Sequence, residues 1–227
     1  MNSDISAPEG ELPLRADARR NRDQIISAAK AIFAAEGPDA PMEEIARRSG
    51  VGVGTLYRRF PDREALIRAV ARDNFTNALT HAQAAATEET TGWNALVRLL
   101  KSSDELQLSV RLGMTSPRAW DVVKGDQVTQ GLRDSLLEVL DGVVGTAQAE
   151  GSLRTDVGAG DIAAMYSMLL RRPSDPAQQR IAERALHIML DGLRPHRHST
   201  ELPGHPLQVS EVHPMSSTNP AHPAAGT

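Results

Sequence analysis

Within the short stretch from Val53 to Arg63 the chain sets out a hydroxyl on Thr55, a phenol on Tyr57 and guanidinium groups on Arg58, Arg59 and Arg63. All of these donate hydrogen bonds, and each arginine presents a fixed charge in a planar fork that matches phosphate oxygens and base edges. Bond-breaking chemistry needs a nucleophile beside a base, a metal-ligand set or a phosphate-cradling loop, and none of those spacings occurs in the chain. Asp104, Glu105, Asp121 and Asp126 read as ordinary helix-surface acids, so the chain is not expected to be an enzyme. The chemistry on offer is recognition of a polyanion.

The flanking residues say how these groups are held. Gly50, Gly52 and Gly54 fall between two helical segments too short to be stable alone, which predicts a tight turn. Upstream, Ile45 and Ala46 form one side of a helix whose other side carries Glu43, Glu44, Arg47 and Arg48. Downstream, Val53, Leu56 and Phe60 recur at helical spacing and are expected to face inward, turning Thr55, Arg58 and Arg59 outward. This is the order of a helix-turn-helix, whose second helix lies in the DNA major groove with base-reading residues near its start. Gly54 allows close backbone approach. Arg63, beside the unpaired N–H groups of the next helix start, is expected to grip phosphate.

At these residues the chain resembles the TetR family of transcriptional regulators, over about one quarter of its length. The family pattern G-V-x-x-G-T-L-Y-x-x-F is met by Gly50, Val51, Gly54, Thr55, Leu56, Tyr57 and Phe60. The resemblance implies that Thr55, Tyr57 and Arg63 hold phosphates, Arg63 standing where the family commonly has lysine. It also implies that Val53, Gly54, Arg58 and Arg59 face bases or the groove wall. One departure is Ala40-Pro41-Met42, where the family often has serine or threonine: Pro41 suits the first helical position and Ala40 is a poor cap.

The chain has 227 residues, 40% hydrophobic and 24% charged, which suits a globular protein of one or two domains. It has no cysteine, which excludes disulfides and thiolate metal sites and fits a reducing compartment. The longest apolar run, Ile162 to Leu170, is interrupted by Ser167 and too short to span a bilayer, and the acidic start has no signal-peptide core. A cytoplasmic protein without membrane attachment is expected. Between Arg15 and Arg72 there are 12 basic and 8 acidic residues, a net of +4, while the remainder carries 13 and 21, a net of −8. Positive potential is thus concentrated on the motif, and DNA repels the rest. Because 22 arginines against 3 lysines is a bias running through the whole chain, the arginines' positions carry the argument, not their identity.

Periodicity predicts an all-α chain. Residues 1–14 are read as a flexible leader and 15–75 as the helix-turn-helix head, its first helix running from about Ala18 to Glu36 and stopped by Gly37-Pro38. Arg15, Arg19, Arg20 and Arg22 read equally as phosphate contacts or as a solvated helix end. From Asp62 to about Thr87 one helix of roughly 35 to 40 Å joins head to body without a flexible linker, a stiff lever. Residues 76–194 are read as a ligand-binding and dimerisation body, with helices at about Gly92 to Leu112, Arg118 to Val123, Gln127 to Ala149, Ala159 to Arg171 and Pro176 to Leu193. Residues 195–227, with 6 of the 14 prolines and 5 of the 7 histidines, are read as a disordered tail. The irregular spacing of His196, His198, His205, His213 and His222 argues against a metal site, and no cofactor is expected.

Two expectations concern the body. Ile162, Met165, Leu169, Ile181, Ala185, Ile188 and Met189 lie on apolar bands wider than a surface helix needs, and are expected to pair two subunits in a four-helix bundle; the other reading is a central core helix. Trp93, Met114, Trp120, Met165, Tyr166 and Met168 suit the walls of a cavity for a small apolar or amphipathic effector, and suit plain core packing as well. The family resemblance then implies a homodimeric repressor on a near-palindromic operator in double-stranded DNA, released by that effector. The rival readings are an activator, or an architectural DNA-binding protein without effector.

Overall fold

Two glycines set the angles of the first three helices. In the computed structural model, which describes residues 11–101, 106, 108–109, 116–170, 176–196 and 200–212, α1 (Glu11–Glu36) ends where Gly37 takes φ +88°. Helix α2 (Met42–Ser49) ends where Gly50 takes φ +72°, and α3 (Val53–Arg59) follows from an extended Gly52. This left-handed backbone costs other residues roughly 1–2 kcal/mol. The sharp turns let Ile25, Ile32 and Phe33 of α1 meet Ile45 of α2 and Leu56 of α3 in one buried core.

Helix α1 begins at Glu11, inside the segment expected to be a flexible leader. Glu, Leu, Arg and Ala are good helix formers, and a proline near a helix start loses no intrahelical bond, so Pro13 does not prevent it. Pro41 proves to be the N-cap of α2 and not its first helical residue; its carbonyl accepts from Glu44 N and Ile45 N, and no side chain caps the helix.

Helix α4 (Arg63–Glu88) serves two cores. Its start is capped by Asp62, whose Oδ1 accepts from Ala65 N at 2.6 Å, and Leu66, Ile67 and Val70 complete the head. Further along, Ala78 and Ala82 are buried in the body, their small side chains letting α5 (Gly92–Lys101) and α7 (Gln127–Ala149) approach. These helices cross closely at Gly92, where a Cβ would lie 2.4 Å from Ala147 N, and Glu150 accepts from Gly92 N at 2.9 and 3.1 Å. Helices α8 (Ala159–Leu169) and α9 (Pro176–Gly192) finish the body. Of the stretch expected to carry α5 on to Leu112, residues 106 and 108–109 are described and are helical.

Helix α6 (Pro117–Lys124) does not follow the expected partition at residue 75. Ala119 and Val123, with Leu108, are buried in the head's core and not in the body's. The tail is also corrected in part. Residues 200–212, expected to be disordered, are seated on the body, where Thr200 O, Leu202 N, Leu207 N and O, and Val212 O are all hydrogen-bonded to it. Proline-rich polar sequence disfavours helix, yet its backbone can be satisfied by side chains from elsewhere. His198, His213 and His222 lie outside the described residues. Among the described residues the regular structure is all helical, and no helix is long and apolar enough to cross a membrane.

Candidate nucleic-acid interface

Burial of Leu56 and Phe60 fixes the roll of α3, because both are held in the head core at 0% and 5% exposure. Gly54, Tyr57, Arg58 and Arg59 are then turned to solvent and Thr55 is half-buried beside them. Val53, expected to face inward, is 41% exposed. It sits in the first turn of a helix only 7 residues long, ahead of the part that α1 and α2 cover. The inward spacing therefore holds for Leu56 and Phe60 alone, and Val53 joins the outer face.

The exposed groups are partly engaged with one another. Arg58 Nη2 donates to Thr55 Oγ1 at 3.1 Å, and Arg59 Nη2 donates to Ala18 O at 3.4 Å, leaning back on α1. Tyr57 Oη donates to Glu43 Oε1 at 3.3 Å. Glu43 was not singled out in the sequence, where it is one of two adjacent acids on α2; only folding brings it opposite Tyr57. Its carboxylate thus places an anionic oxygen beside the Tyr57 hydroxyl on the outer side of α3. On the same helix Arg47 donates to Glu44 at 2.6 and 2.8 Å, which holds the Glu44 carboxyl below its ordinary range and uses much of that arginine's charge locally. Between α1 and α3 lies a groove of about 310 Å³ walled by Asn21, Thr55, Arg58 and Arg59, continuous with this face.

Arg63 is placed differently from its neighbours. It is half-buried, and Nη1 donates to Pro38 O at 2.9 Å and to Ala40 O, so it ties α4 to the loop before α2. Asp62 meanwhile takes the Ala65 N–H that was expected to be open to phosphate. Because α1 begins at Glu11, Arg19, Arg20 and Arg22 lie inside it and not at its mouth; Arg20 pairs with Asp17, and Arg22 lies 3.4 Å from Asp23.

Among the described residues, the expected effector-lining side chains do not line one cavity: Trp93 and Tyr166 share the body core, and the others lie apart from it. Trp93 is buried in the body core with the Arg194 guanidinium 4.1 Å from its ring centre, and Tyr166 is buried with its hydroxyl donating to Leu100 O at 2.7 Å. Met165 and Met168 point to solvent on the far side of α8, because Ile162 and Tyr166 take its inner face. Trp120 is half-buried on α6, and Met114 lies outside the described residues. A groove of about 290 Å³ does open between the end of α4, α5 and α7, but its walls include Thr90, Ala95, Val139 and Val143 and none of the six. Of the expected pairing residues, Met165, Ile181 and Ile188 are exposed, Leu169 and Ala185 half-buried, and Ile162 and Met189 buried within the subunit. Ile162 and Met189 therefore belong to the subunit's own core.

Likeness to known proteins agrees with this geometry. Residues 25–70 match the bacterial regulatory proteins of the tetR family, and residues 94–195 match the C-terminal domain of SbtR-like transcriptional regulators. An HTH-type transcriptional regulator of Staphylococcus aureus strain USA300 is 38% identical over 69 residues, which are 30% of this chain, and the chain spans 37% of that curated relative's length. A TetR transcriptional regulator of Streptomyces coelicolor is 35% identical in sequence, with a TM-score of 0.62 over 77% of this chain and 98% of that one. A TetR transcription regulatory protein of Mycobacterium vanbaalenii is 32% identical, with a TM-score of 0.57 over 81% of this chain and 100% of the other. With a helix-turn-helix head, a lever helix and a helical body all matched along the chain, the protein belongs to the TetR family of transcriptional regulators.

Proposed function

We propose that the protein is a homodimeric repressor that holds a near-palindromic operator through α3 of each subunit and releases it when a small apolar or amphipathic effector displaces part of the body. The outer face of α3 supplies the contacts: Val53, Gly54, Arg58 and Arg59 toward the groove, and Thr55 and Tyr57, joined by Arg63 once it leaves the loop carbonyls, on phosphates. Pairing is supported by the side chains left uncovered on α8 and α9, where Met165, Met168, Ile181 and Ile188 are 45%, 56%, 47% and 66% exposed. A second copy of the same two helices would cover them and place two heads for successive major grooves.

The observation that carries the release step is the allegiance of α6. It belongs to the regulatory half of the chain, yet Ala119 and Val123 are packed into the head core. Two ion pairs bolt the same region to the lever: Arg118 donates to Glu64 at 2.9 and 3.0 Å, and Arg72 Nε donates to Asp126 Oδ2 at 2.8 Å. A ligand that favours a different α6 position therefore favours a different head position, by no more than its differential affinity for the two states.

Selection of bound duplexes from a random pool tests the reading. It should return an inverted repeat with half-site centres about 34–36 Å or a multiple apart. That site, placed over a reporter promoter, should lower expression when the protein is present. A rise would make the protein an activator, and broad recovery of unrelated duplexes would make it an architectural binder.

A further inference from the structure

The match to the family's C-terminal domain ends at residue 195, and the described segment from Thr200 to Val212 lies beyond it. Named contacts fasten it along its length. Arg154, clamped to Asp156 at 2.6 and 2.7 Å, donates from Nη2 to Thr200 O at 2.7 Å, and Asp156 Oδ2 accepts from Leu202 N at 3.2 Å. The segment then meets the first turn of α8. Gly160 N donates to Leu207 O at 2.9 Å, while Asp161 Oδ2, which already accepts from Gly158 N at 2.8 Å, accepts from Leu207 N at 3.1 Å. Val209 packs on the body core, and Arg133 Nη2 donates to Val212 O at 2.6 Å. Gln148 Nε2 donates to Val157 O at the root of α8. Arg133 lies roughly 22 Å back along α7 from Gln148, so the segment runs from the far end of the body toward the head.

Its seat is shaped for backbone. A Cβ on Gly158 would fall 2.1 Å from Leu207 O, and one on Gly160 would fall 2.5 Å from Gln208 O and 2.6 Å from Leu207 O. Glycine inside a helix is otherwise less favourable than alanine, so Gly160 gives up helix stability where the segment passes. Helix α8 packs against the 3₁₀ turn Val209–Glu211 as well as against α7. Its second and third turns carry Met165 and Met168 on the uncovered face.

We propose that residues 200–212 form a strap that keys into the glycine cradle of α8 and holds that helix in place for pairing with a second copy of this chain. The pairing half of this statement rests on the homodimer proposed above; the strap half does not.

Amide hydrogen exchange, thermal unfolding and sedimentation over a concentration series test both halves on the full chain. The variants are Gly160→Ala, Leu207→Pro and the double substitution. Gly160→Ala improves α8 as a helix but drives a methyl into the strap, while Leu207→Pro removes the N–H that Asp161 binds and adds nothing to α8. Each single variant should speed exchange in residues 200–212 and the first turn of α8 by at least about tenfold, lower Tm, and raise the dimer's dissociation constant by about tenfold. In the Leu207→Pro background the Tm loss from Gly160→Ala should shrink, because part of the strap's hold on α8 is already gone. Peptide-like exchange at 200–212 in the unmodified protein, or a Tm raised by Gly160→Ala alone, overturns the strap. Faster strap exchange with unchanged self-association overturns the coupling. A native chain monomeric at every concentration overturns the dimer and with it the coupling, while exchange and the non-additive Tm loss still judge the strap.

Discussion

Substituting Arg72 and Asp126 singly and together weighs the bolt between lever and body. Asp126 caps α7, is 7% exposed, and its carboxylate accepts from Arg72 Nε at 2.8 Å, from Arg72 Nη2, from Thr129 N at 3.0 Å and from Thr129 Oγ1 at 2.6 Å. The bond from Arg72 is the largest cause holding this carboxyl far below its ordinary 3.8, against burial that alone would raise it. The Arg72 side chain is 43% exposed, so water competes for it, and the pair falls between a surface bridge of about 0–1 kcal/mol and a buried one. Arg72→Ala strips the partner from a nearly buried carboxylate and should cost about 1–3 kcal/mol. Asp126→Asn keeps an oxygen for Thr129 N and leaves the arginine to water, so about 1 kcal/mol is expected. The coupling from the double-mutant cycle should be about 1–2 kcal/mol in urea unfolding at neutral pH, with unchanged m-values. Because the folded carboxyl is depressed, its contribution is complete above the ordinary 3.8 and drains as the pH falls below that value. Zero coupling, or Asp126→Asn costing more than Arg72→Ala, would refute the reasoning.

Four further outcomes are expected. Tyr57→Phe should weaken DNA binding evenly across sequences, while Arg58→Ala should relax preference at one base position by about 1–3 kcal/mol; competition binding on half-site variants separates the two. Gly50→Ala meets nothing within 4 Å, so any cost is the φ of +72°, about 1 kcal/mol seen as a lower Tm with DNA contacts untouched. Ile188→Asp, at a side chain 66% exposed, should abolish self-association and leave the monomer's unfolding midpoint nearly unchanged; an unfolded variant would place Ile188 in a core. Arg154 holds the Asp156 carboxyl down from 3.8 to about 2, so its stabilisation is whole above 3.8 and lost between there and about 2. Asp156→Asn should flatten the stability profile over that acid window.

Elements whose signal is local were legible in the sequence. The α7 boundaries, Gln127 to Ala149, follow from helical apolar spacing, and the turn at Gly50 from glycine chemistry, whereas Asp126, which reads as a surface acid, is the α7 cap. What depends on distant partners was not. Nothing in the α6 sequence says that Ala119 and Val123 bury into the head, because the matching cavity is made by residues far earlier in the chain. Spacing alone sent Val53 inward, since periodicity does not tell how far a covering helix reaches. Trp93 suits a pocket wall and a core equally in the sequence, because Arg194, which lies over its ring, is about one hundred residues further along the chain. The strap was hidden for the same reason: its stability lies in Gly158, Gly160 and Arg154, while its own residues look like a polar tail.

The measurement closest to the central claim is methylation protection of guanine N7 on a selected operator, because N7 is exposed only in the major groove. The account predicts two protected patches related by two-fold symmetry and about one helical turn or a multiple apart, both lost in Arg58→Ala/Arg59→Ala protein. Bound DNA whose N7 atoms stay fully reactive would contradict it, for α3 would then lie outside the groove.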